Sequence, residues 1–155
     1  MYLLDTNTLI YFFKGQGQVA ERLLSVPPTD LGISAIVLHE LETGIAKSTH
    51  PDKRRRQLEA LVNTAVFFPF AKAEARAAAL IRRDLEEAGT PIGTLDTLIA
   101  ATAVANRLTA GTSSEADPGR ISSVGRDPRV RMPRLRRDRR IDGHPSADAH
   151  IPRDI

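Results

Sequence analysis

Cysteine is absent from this sequence. Disulfides and thiolate metal sites are therefore excluded, and the chain suits a reducing compartment. No apolar stretch approaches the roughly 20 residues that a bilayer-spanning helix needs. The N-terminus has neither the basic start nor the long apolar segment of a secretory signal. A cytoplasmic protein with no membrane partner is the expectation. Aromatic residues stop at Phe70, and residues 107–155 hold no lysine.

These gaps divide the chain. The net charge is +3, but residues 1–106 carry 11 Lys and Arg against 12 Asp and Glu. Residues 107–155 carry 11 Arg against 7 acids. The basic character therefore belongs mostly to the tail, and says little about what the folded part binds. A chain of 155 residues is long enough for one domain with a real core.

Residues 1–106 alternate between strand and helix patterns. Tyr2–Leu4 reads as a buried strand, followed by an apolar helix over 8–13 that ends near Gly15 and Gly17. Residues 18–25 form a short helix stopped by Pro27 and Pro28. A second strand spans 30–33, and Ser34 is a good N-cap for a helix over 35–47. Pro51 opens a helix to about Asn63. Val66–Phe68 is a third strand closed by Pro69. Residues 72–87 are alanine-rich and strongly helical, serving the core or a dimer surface. Thr94 is expected to cap a last helix over 95–106. Such alternation predicts an α/β fold.

The tail reads differently. Pro118, Pro128 and Pro133 interrupt any pattern, and 134–140 is a charge block. Disorder is the expectation there. This divides the chain into a domain over 1–109 and an atypical Arg/Pro-rich segment over 110–155.

Asp5 closes the first strand, where open parallel sheets place their ligands. It has no neighbouring acid, so a cation site needs carboxylates from elsewhere. Glu40 and Asp96 are the candidates. Three converging carboxylates suit Mg²⁺, or Mn²⁺, better than zinc. A bound cation of that kind serves hydrolysis.

Each residue also has a plainer reading. Asp5 could cap the next helix, and Asp96 could complement a helix dipole. Glu40 and Glu42 flank the Val37–Leu41–Ile45 stripe almost symmetrically, so periodicity cannot choose between them. The Lys53–Arg56 run is more often a solvated face than a binding patch. His39, without a partner, reads as structural.

Three segments taken together are more specific: Asp5-Thr6-Asn7, Glu40-Leu41-x-x-Gly44 and Gly93-x-x-Asp96-x-Leu98-Ile99-Ala100-Ala101. In order and spacing they resemble a PIN domain, and particularly the VapC-type toxin ribonucleases of bacterial toxin–antitoxin pairs. The resemblance covers about residues 1–109. It implies a Mg²⁺-dependent ribonuclease that cuts structured RNA, often tRNA. It also implies a three-layer fold with a parallel sheet flanked by helices, a cognate antitoxin and a homodimer. It makes Asp5, Asp96 and Glu40 the metal ligands and catalytic acids, with Thr6 and Asn7 shaping the site.

The sequence departs from that pattern after Asp96. The family continues with an apolar inner strand that ends at a further acid. Here residues 108–117 contain no β-branched apolar run. Asp117 stands nearest the expected acid, with Glu115 the alternative. Loss of that strand would leave backbone groups of its neighbours unpaired. Two rivals follow: a degenerate PIN module that binds antitoxin or RNA without cutting, and an Asp-nucleophile phosphatase. The second wants an acid where Asn7 stands. The biased composition of the tail fits a shifted reading frame. The coding DNA across codons 106–120 tests this: another frame should encode an apolar strand ending in an acid, and its absence would refute the shift.

Overall fold

A computed structural model describes residues 1–16, 18–114 and 117–123, with backbone alone over 111–114 and 117–123. Strand β1 is Tyr2–Leu4. Helix α1 (Thr6–Lys14) follows, and its N-cap is Asp5. It ends at Gly15, whose φ of 64° lies in the left-handed region that glycine adopts without strain. Helix α2 is Val19–Ser25, and a 3-10 turn over Pro28–Asp30 leads into β2, Leu31–Ser34. Ser34 caps α3 (Ala35–Ala46) as its sequence predicts, accepting from the Val37 amide at 3.2 Å. Helix α4 is Pro51–Val62, β3 is Val66–Phe68 and α5 is Lys72–Glu87. Helix α6 is Thr94–Ala105, and its N-cap is Gly93 rather than the expected Thr94.

The sheet runs β3-β2-β1-β4-β5, where β4 is Thr109–Ser114 and β5 is Asp117–Ser123. The first four strands are parallel, with Leu3 beside Gly32, Leu4 beside Gly111 and Ser34 beside Phe68. Strand β5 returns antiparallel. Leu3 and Leu4 are adjacent and point to opposite faces, yet both are fully buried. Helices therefore cover both sides of β1, which is the three-layer arrangement expected. Burial of each such leucine contributes about 1.5–3 kcal/mol.

The structure corrects one expectation. A strand does follow α6, although no β-branched apolar run encodes it. The Thr109 amide donates to the Met1 carbonyl at 3.3 Å, and β4 then pairs with β1 along its length. Backbone groups at the second edge of β1 require partners, and the ladder supplies them whatever the side chains. The boundary expected at residue 109 thus falls on the first residue of a sheet strand, and the sheet runs on to Ser123. The charge block over 134–140 lies outside the described residues.

Gly32 sits inside the sheet because Phe68 covers it. A Cβ there would lie 2.7 Å from the Phe68 ring. A second constraint escaped the sequence reading. Glu74 is buried at the start of α5. Its Oε2 accepts from the Ala71 amide at 3.0 Å, and its Oε1 accepts from Asn106 Nδ2 at 3.0 Å. It thus ties the start of α5 to the end of α6. Its own backbone amide first, then the Ala71 backbone amide and the Asn106 side-chain amide, hold its carboxyl below the usual range against desolvation. A carboxyl depressed on folding stabilises above its unfolded value, about 4.3, and that contribution is lost as pH falls through the folded one. Glu74→Ala should therefore cost about 1–3 kcal/mol near neutral pH. Urea melts should show the gap to wild type closing in acid; a gap independent of pH would mean that the charge of Glu74 is irrelevant.

Candidate functional site

The strand order reverses at β1. The chain steps outward from β1 to β2 and β3, then returns to the other side of β1 as β4. Open α/β sheets bind ligands beyond the strand C-termini at such a reversal. Asp5 stands there, directly after Leu4. Its Oδ1 accepts from the Thr8 amide at 2.7 Å, so the plain capping reading holds. Capping occupies one carboxylate oxygen, and a carboxylate has two.

Glu40 reaches the same corner from α3. Thr6 Oγ1 donates to Glu40 Oε2 at 2.6 Å. The residue beside Asp5 therefore orients Glu40, and both acids are half-buried. Periodicity left Glu40 and Glu42 equivalent, and their side-chain partners differ. Glu42 turns elsewhere and pairs with Arg55 at 3.6 Å across two exposed side chains. His39 is exposed on α3, not packed in a structural role.

Asp96 is the third residue of α6. That helix enters β4 through only Asn106–Leu108, so its start points back toward the C-terminal end of the sheet. The carboxylate folds over the loop before the helix: a Cβ on Gly93 would sit 2.7 Å from Asp96 Oδ2. A side chain at 93 would therefore displace the tip of Asp96, a shift that this exposed carboxylate can make. Asn7 is exposed and makes no side-chain hydrogen bond among the described residues. Asp117 opens β5, but its side chain lies outside the described residues, as does Glu115.

Among the described residues, no three His, Asp or Glu side chains gather closely enough to hold an ion by themselves. A Mg²⁺ site asks for less, since that ion commonly takes one or two carboxylates and fills its shell with water and phosphate oxygens. Asp5 and Glu40 fit that demand: hard oxygen donors, half-buried, with Thr6 fixing one of them. Gly93→Ala should swing the Asp96 carboxylate off its present position. A crystal structure of the variant tests this, and an unmoved carboxylate would refute the steric role.

Comparison with known proteins identifies the family of the fold. The PIN domain family model matches residues 2–123. The tRNA(fMet)-specific endonuclease VapC of Salmonella typhimurium is 28% identical over 123 residues, covering 79% of this chain and 93% of the relative. Ribonuclease VapC2 of Rickettsia felis is 29% identical over 126 residues, covering 80% and 94%. The crystal structure of VapBC2 from Rickettsia felis bound to a promoter DNA fragment superposes with a TM-score of 0.68 at 29% identity, over 73% of this chain and 87% of that one. DNA-bound VapBC from Salmonella typhimurium gives 0.68 at 29%, over 79% and 92%. Since the family model covers most of its length, the chain belongs to the PIN domain family.

Proposed function

We propose that this chain is the toxin of a toxin–antitoxin pair, a ribonuclease that hydrolyses RNA phosphodiester bonds with Mg²⁺, and that tRNA is the substrate to test first. The observation that carries the proposal is the Thr6–Glu40 bond beside Asp5 at the sheet reversal of a PIN domain. The endonuclease and ribonuclease names of its VapC relatives support the activity. The VapBC assemblies support an antitoxin partner. A homodimer and a cytoplasmic location complete the reading; no described helix is long and apolar enough to cross a membrane.

Asp5, Glu40 and Asp96 are the residues that would hold the cation, with Mn²⁺ as a substitute and Asp117 as a further candidate ligand. Bound there, a divalent cation lowers the pKa of water and offsets charge on phosphoryl oxygens. The chain's own residues prepare the place. The Thr8 amide fixes the Asp5 carboxylate, and the Thr6 hydroxyl fixes that of Glu40. Gly93 leaves room for Asp96. Asn7 stays exposed, available to a substrate strand.

The rival reading is a PIN module that binds RNA or antitoxin without cutting. The lack of a three-acid group among the described residues favours it. One assay separates the two. Purified chain with Mg²⁺ should cut a tRNA pool, and EDTA should stop it. Asp5→Asn and Asp96→Asn should abolish cleavage while the circular dichroism melt persists. Thr6→Val should slow cleavage about 10- to 100-fold, as losses of ligand-orienting bonds do. A folded Asp5→Asn protein that still cuts would remove that acid from the mechanism.

A further inference from the structure

A cavity of about 200 Å³ adjoins Glu40 between α1, α3 and α4. Phe13 and Ile45 form apolar wall, and Lys14 and Arg54 bring two cations. Neither cation has an ion-pair partner among the described residues; Lys53 and Arg56 have none either, so what sets Lys14 and Arg54 apart is that they line the cavity. Within the basic run of α4, Arg54 alone is half-buried and lines the cavity; Lys53, Arg55 and Arg56 are exposed.

Gly44 lines the same cavity. Glycine weakens a helix interior, so its presence in α3 needs a cause. Gly32 and Gly93 are crowded by Phe68 and Asp96, and Gly15 and Gly89 have positive φ. Gly44 has neither excuse: its backbone is not left-handed, and a Cβ there would meet nothing within 4 Å. The space above it is kept clear of this chain's own atoms.

We infer that this cavity is a nucleotide subsite for the RNA strand beside the scissile bond: apolar wall for an unstacked base, Lys14 and Arg54 for its phosphates. Glu40 is common to the cavity and the candidate metal corner, which fixes the subsite next to the reaction. Single-stranded RNA is held in this way, by a cationic track beside aromatic surface, and sequence-specific readout falls on unstacked loop bases. The inference rests on the ribonuclease reading above. An acidic protein segment is the competing occupant.

Filter binding of labelled bulk tRNA in EDTA tests the subsite without cleavage. The double variant Lys14→Ala/Arg54→Ala should bind roughly 10-fold more weakly. Its dependence of log affinity on log salt should flatten by about 1.4, at about 0.7 per single-strand phosphate contact. Lys53→Ala/Arg56→Ala removes the same charge from α4 and should bind like wild type. Gly44→Leu should hold or raise the melting temperature while weakening tRNA binding. Equal losses in the two double variants would mean a diffuse basic face, and undiminished binding by Gly44→Leu would give the groove to a protein partner; either result overturns the subsite. A wild-type chain that neither binds nor cuts tRNA would instead refute the ribonuclease reading itself.

Discussion

Everything at the candidate site depends on β1 being paired along both edges. It is three residues long, flanked by β2 and β4, and its two leucines fill both layers of the core. Such a strand has little freedom to slip, because a shift of one residue would exchange its buried faces. The position of Asp5 is fixed as a consequence. The next turn then fixes Thr6, which reaches 34 residues along the chain to Glu40. A strand too short to be stable alone thus becomes the reference for Asp5 and, through Thr6, for Glu40. Strand β4 matters in this sense even though its side chains are small and polar: its backbone closes the second edge of β1.

The sequence read well where local chemistry decides local structure. Ser34 caps α3, alanines drive α5, and prolines and glycines mark most ends. It read poorly where a distant partner decides. Strand β4 is set by the unpaired edge of β1, not by its own residues, so the search for an apolar run missed it. Glu40 and Glu42 are equivalent on a helical wheel; in sequence the spacing to Gly44 separates them, and in the fold their partners do, Thr6 for one and Arg55 for the other. Glu74 sits at the third position of α5, where an acid commonly reaches back to the cap. Its tie to Asn106, which buries it, depends on how α5 packs on α6. Motif order singles out the candidate acids. It does not show the Thr6 hydroxyl that holds Glu40.

Charge shows the same division between composition and place. A pI near 9.7 suggests a protein made for nucleic acid, yet residues 1–106 carry slightly more acid than base. An RNA-cutting reading cannot lean on that bulk number. Attraction for phosphate within such a domain must come from cations left unpaired at particular points. Arg82 and Arg83 spend their charge on Glu86, Asp84 and Glu87 along α5. Arg55 spends part of its own on Glu42. Among the described residues Lys14 and Arg54 do not, and, unlike the equally unpaired Lys53 and Arg56, they stand where α1 and α4 approach Glu40. A domain that must hold an RNA strand against its own carboxylates needs cations placed in this way, one side chain away from the acids.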